Sequence, residues 1–184
     1  MFDYESWYII SVPLYLAFLV FTIWKKRRLK DILLHSLIFV YIVAVFGIVI
    51  FPLPFQSRLI EDSRLSSNLA NNFIPLRSII DIFLHTPLSV SLKQIGGNIL
   101  LLLPLGFFAP LVWLKKVRFT RVLKIGILSA LGIESAQFFI SLILGFTYKV
   151  TDVDDVLLNT VGFALGYFLF RVFAQGKDTK LKRI

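Results

Sequence analysis

Apolar residues run in five blocks separated by polar connections, at about 7–24, 32–55, 95–114, 122–144 and 153–174. A helix rises about 1.5 Å per residue and the hydrocarbon layer is about 30 Å thick, so roughly 20 apolar residues cross it. Each block is near that length. The pattern predicts an all-α integral membrane protein, a single membrane domain over 1–184 built as a bundle of five transmembrane helices. The first block resembles a leader peptide in length. However, Asp3 and Glu5 precede it instead of lysines and no small-residue cleavage site follows, so it reads as a retained span.

The connection from Gln56 to Gln94 is the longest. Within it Leu76, Ile79, Ile80, Phe83 and Leu84 recur at helical spacing, with Arg77, Ser78 and Asp81 elsewhere on the wheel. Pro75 suits a first helical turn and Pro87 an end. A short amphipathic helix on the outer membrane face is expected between spans two and three. A loop packed on the bundle is the alternative.

Composition strengthens the membrane reading: 57% of residues are hydrophobic, 17% are charged, and the mean hydropathy is +0.80. Cysteine is absent, which removes disulfides, thiolate metal sites and cysteine nucleophiles. The net charge of +9 comes without a basic surface interleaved with aromatics, so no nucleic-acid partner is expected. The charge instead describes topology. Lys25, Lys26, Arg27, Arg28 and Lys30, the bases from Lys115 to Lys124, and those from Arg171 to Arg183 fall on one side of a five-span bundle. Arg58, Arg64, Arg77, Lys93 and Lys149 fall on the other. That asymmetry predicts the N-terminus outside and the C-terminus inside, with Trp7 and Tyr8 facing Trp24 and Trp113 across the membrane as interfacial belts.

Several polar residues interrupt the spans. A charged group at mid-bilayer costs roughly 2.5–3.5 kcal/mol, so Glu134 should face the bundle and find partners. Gln137 and Ser141 share its helical face. In the fifth span Asp152, Asp155, Asn159, Gly162 and Gly166 lie at i, i+3, i+7, i+10 and i+14, one face that is polar outside and small inside. The two glycines form a G-x-x-x-G pair suited to close helix approach. Asn98 sits about one turn inside the third span. Asn98, Glu134, Gln137, Asp152, Asp155 and Asn159 are therefore expected to converge in the outer half of the bilayer. Interhelical hydrogen bonding is the plainer role for the asparagines, and capping of the fifth helix the plainer role for Asp152 and Asp154. Asp154 points off the shared face and reads as a simple cap.

These residues carry a resemblance to the VanZ-like family of bacterial membrane proteins. The matching stretches are "NNFIPL" at 71–76, "GNILLLLPLGF" at 97–107, "GIESAQ" at 132–137 and "DVDDVLLNTVGFALGY" at 152–167, covering about 70–170. Family members often carry an arginine shortly before the first aspartate; here Lys149 is the nearest base. The resemblance implies a multi-pass protein of the bacterial cell membrane, linked to tolerance of glycopeptide or lipoglycopeptide antibiotics such as teicoplanin. Its motif positions imply a ligand-binding cluster of Asn72, Asn98, Glu134, Gln137, Asp152, Asp155 and Asn159.

Three function classes are open on the sequence. The first is an outward-facing polar groove that binds an amphiphile, either a cell-wall lipid precursor such as lipid II or the lipidated antibiotic. The second is an intramembrane enzyme using Glu134 as acid or base, with Asp152, Asp155, Asn159 and Asn98 able to hold a divalent cation. The third is a small transporter or partner subunit, for which five spans would call for a homo-oligomer. Membrane lipids are partners in every case. No organic cofactor and no resident metal are expected, and no nucleophile stands beside a base.

Overall fold

The computed structural model describes residues 4–54, 57–66, 69–112 and 118–181, with side-chain surroundings up to residue 174. Seven helices and no strand occur among them: α1 Tyr4–Trp24, α2 Leu29–Ile50, α3 Ser57–Ser66, α4 Arg77–His85, α5 Leu88–Val112, α6 Phe119–Leu144 and α7 Val153–Leu181. Five of these are long and apolar enough to cross a membrane: α1, α2, α5, α6 and the Val153–Ala174 part of α7. The chain divides into two compact units, Met1–Ser67 and Asn68–Ile184.

The first unit is built on a helical hairpin. Aromatic rings join its helices: Tyr15 and Phe18 on α1 pack on Phe39 of α2 at centroid distances of 5.3 and 5.5 Å. Trp7 lies against Gly47, which has room for its indole because it has no side chain, and donates its Nε1–H to the Val43 carbonyl at 2.9 Å. The second span ends at Ile50, not Phe55. Pro52 forces the residue before it out of helical geometry, and Phe51 is extended, with φ −96° and ψ 160°. Helix α3 follows, in a stretch that the hydropathy pattern left as connection.

The second unit is organised around α7, which packs on both α5 and α6. Its contact with α5 is backbone on backbone. A Cβ on Gly162 would lie 1.9 Å from the Ile99 carbonyl oxygen, one on Gly166 1.9 Å from that of Leu103, and one on Gly106 of α5 2.0 Å from that of Phe163. The G-x-x-x-G pair is thus matched by a third glycine on the opposing helix. This suits association in lipid, where van der Waals fit replaces the hydrophobic drive. On the other side Phe163 is wholly buried against Gly126 of α6, within a core of Leu102, Ala109, Val122, Ala130 and Tyr167.

Helix α5 starts about two turns earlier than the hydropathy suggests. Pro87 opens it, and its carbonyl accepts the Val90 and Ser91 N–H groups at 2.9 and 3.1 Å. Lys93 and Gln94, which read as loop, are exposed residues of its first turns. Helix α4 lies within the long connection. Ile79 and Ile82 are half-buried, while Ile80, Phe83 and Leu84 stay exposed.

Candidate functional site

The feature that builds the site is a change of depth between α6 and α7. Helix α6 continues for ten residues beyond Glu134 to Leu144, about 15 Å at about 1.5 Å per residue. It ends at Gly145, whose φ of 75° is the left-handed cap that glycine accepts without strain. The chain then turns back down the helix it has just left. Ser141 holds the returning segment, its hydroxyl oxygen accepting the Tyr148 N–H at 3.2 Å. At the bottom, the Asp152 N–H donates to Glu134 Oε2 at 3.0 Å. Glu134, only 5% exposed, therefore sits at the N-terminus of α7, where orphan N–H groups and the helix dipole stabilise a carboxylate.

A second segment, 71–76, lies alongside the first. Asn72 and Asp152 form a parallel backbone bridge: the Asn72 N–H donates to the Thr151 carbonyl and the Val153 N–H to the Asn72 carbonyl, both at 3.0 Å. Side chains complete the pairing. Asn71 Oδ1 accepts the Thr151 N–H at 2.9 Å, Asn72 Nδ2 donates to Asp152 Oδ1 at 2.8 Å and to Ser78 Oγ at 3.0 Å, and Asn72 Oδ1 accepts the Ile74 N–H at 3.1 Å. Buried irregular backbone needs such partners, and these two segments supply them for each other.

The acids at the start of α7 have distinct tasks. Asp152 caps its own helix, its Oδ1 accepting the Asp154 N–H at 2.8 Å while also holding Asn72. Asp154, 1% exposed, caps a different helix: its carboxylate accepts the Leu76 N–H at 2.5 Å and the Ile79 N–H at 3.1 Å, at the N-terminus of α4. The reading of Asp154 as a simple cap of the fifth span is corrected accordingly, because its partners lie in the preceding connection. Asp155 accepts a short hydrogen bond from Asn98 Nδ2, which ties the first turn of α7 to α5. Lys149, in the returning segment, is half-buried, and its amine is held below the ordinary lysine range by that burial.

A cavity of about 310 Å³ opens beside this junction. Glu134, Ser135, Thr151 and Asp152 form its polar floor, and Phe73, Leu131, Phe138, Phe139, Val153 and Val156 its apolar walls. Phe73, Leu131 and Phe139 are exposed at its rim.

The seven candidate residues thus separate into layers. Glu134, Asp152 and Asn72 form one connected group, with Glu134 and Asp152 lining the cavity. Asn98 and Asp155 pair with each other and do not line it. Gln137 is half-buried above Glu134, where its carbonyl accepts the Ser141 hydroxyl. Asn159 is 1% exposed below Asp155, and its amide has no hydrogen-bond partner among the described residues. Sequence reasoning missed Asn71, Ser78, Thr151 and the α4-capping role of Asp154. Among the described residues, no group of three or more His, Asp or Glu is arranged to hold a metal ion.

No curated protein and no solved structure matches the chain. A family model does, and the residues it matches run from the second span through the α4 junction, the glycine-matched helix pair and every residue that lines the cavity. On that match over residues 38–174, the chain belongs to the VanZ/LLP1 family.

Proposed function

We propose that the protein binds an amphiphile in its lateral cavity, and that it thereby gives tolerance to glycopeptide or lipoglycopeptide antibiotics such as teicoplanin. The observation that carries this reading is the combination of a polar floor at Glu134 and Asp152 with apolar walls and an exposed apolar rim. Such a space accommodates a head group and part of an acyl chain together. Its volume lies at the lower end of the roughly 300–1,000 Å³ usual for ligand pockets. With the N-terminus outside, as the distribution of Lys and Arg implies, the cavity opens in the outer leaflet of the bacterial cell membrane. Cell-wall lipid precursors and lipidated antibiotics both meet the membrane there.

The test is antibiotic sensitivity in a susceptible bacterium expressing the chain, with membrane abundance matched between variants. Glu134→Gln alters the floor, and Leu131→Trp fills the cavity from its exposed rim. Both are expected to return cells to the sensitivity seen without the protein. Full tolerance in both variants would remove the cavity from the function.

A further inference from the structure

The polar floor of the cavity is lined by carboxyl groups. Glu134 uses Oε2 to accept the Asp152 N–H, and Asp152 uses Oδ1 to accept from Asn72 and from the Asp154 N–H. The second oxygen of each carboxylate has no hydrogen-bond partner among the described residues, although Glu134 and Asp152 are 5% and 8% exposed. Both residues line the cavity. Thr151 borders the same floor with a buried hydroxyl that is also without a partner among the described residues. No lysine, arginine or histidine is among the lining residues. Carboxylate oxygens that face a cavity without a protein donor accept charge-assisted hydrogen bonds, the strong kind, so this floor is complementary to a donor.

A helix N-terminus ordinarily favours an anion, which would point the other way. Here the first donors of α7 are already taken. The Asp152 N–H goes to Glu134, the Val153 N–H to the Asn72 carbonyl and the Asp154 N–H to Asp152. An incoming phosphate would meet carboxylate oxygens with no cation to offset them.

We propose that the ligand of this cavity carries an ammonium group at its polar end, an inference that rests on the amphiphile reading above. The ammonium donates to the open oxygens of Glu134 and Asp152 while the chain lies along Phe138, Phe139, Val153 and Val156. An aminoacylated lipid and the amine of a lipidated peptide share this chemistry. A pyrophosphate-headed precursor does not.

The test uses photo-crosslinking probes with a dodecyl chain bearing a terminal diazirine and an ammonium, hydroxyl or phosphate head. Each is added to the full chain in phosphatidylcholine nanodiscs, and labelled residues are mapped by mass spectrometry. Labelling of Leu131–Phe139 by the ammonium probe is expected to exceed that by the phosphate probe about tenfold. Glu134→Gln should bring that ratio close to one. Ser135→Lys, at an exposed lining position, should turn the preference toward phosphate. Helical circular dichroism and thermal unfolding, recorded on each variant, identify any that has lost its fold. Equal or greater cavity labelling by the hydroxyl or phosphate probe overturns the ammonium assignment and leaves the amphiphile reading standing. Labelling at the cavity no higher than on lipid-facing α2 for every probe overturns both. Unlabelled aminoacylated lipid and a lipidated amine-bearing peptide, added separately as competitors, distinguish the two sources.

Discussion

Gly162→Ala is expected to lower stability by about 3 kcal/mol, the upper part of the range for overpacking a filled interface. The new methyl group would stand 1.9 Å from the Ile99 carbonyl oxygen, and that oxygen belongs to helical backbone and cannot rotate aside. Helices α5 and α7 must separate, which also pulls Asn98 from Asp155. Gly166→Ala should behave alike, since its methyl would meet the Leu103 carbonyl at the same distance. Gly132→Ala is the control. Nothing lies within 4 Å of that Cβ, and alanine favours a helix over glycine by roughly 0.8–1 kcal/mol. Unfolding in mixed micelles by added sodium dodecyl sulfate measures all three. A Gly162→Ala protein as stable as the Gly132→Ala control would show that the helices do not approach this closely.

The second large effect is expected at Asp154. Replacing it by alanine leaves the Leu76 and Ile79 N–H groups without their acceptor at the start of α4. Each such loss costs about 1–3 kcal/mol, so a total of about 3 kcal/mol is expected. Leu76 also has φ 66°, a left-handed conformation unfavourable for a non-glycine residue and held here by its surroundings. Release of α4 should expose the 71–86 segment to limited proteolysis while α5, α6 and α7 remain paired. Asp154→Asn keeps one acceptor oxygen and should lose roughly half as much. Equal stability and protease resistance in Asp154→Ala would separate Asp154 from the anchoring of α4.

The five spans were legible in the sequence because hydropathy is a local property, and their bounds erred most where proline acts. Pro52 ends α2 early by its effect on Phe51, and Pro87 starts α5 through the polar residues Lys93 and Gln94. The glycine face of α7 was also legible, since helical periodicity places Gly162 and Gly166 together without knowledge of the partner. The arrangement of the site was not. A helical wheel puts Asp152, Asp155 and Asn159 on one face, but it carries no information about depth. It cannot show that residues 145–152 descend along α6 and bring Asp152 to Glu134. The partners of Asp154 are more than seventy residues away in sequence, so nothing near it reveals which helix it caps.

The rim of the cavity has a consequence for how occupancy is controlled. On the proposed amphiphile reading, the exposed apolar side chains of Phe73, Leu131 and Phe139 make an entrance that opens sideways onto acyl chains. A ligand that enters this way need not return to water, and its effective concentration is its mole fraction in the leaflet. A compound scarce in solution but strongly partitioned could therefore fill the site, whereas a water-soluble analogue with the same head group would leave it empty. Dose–response curves should accordingly align across different membrane amounts only when dose is expressed per lipid, not per volume.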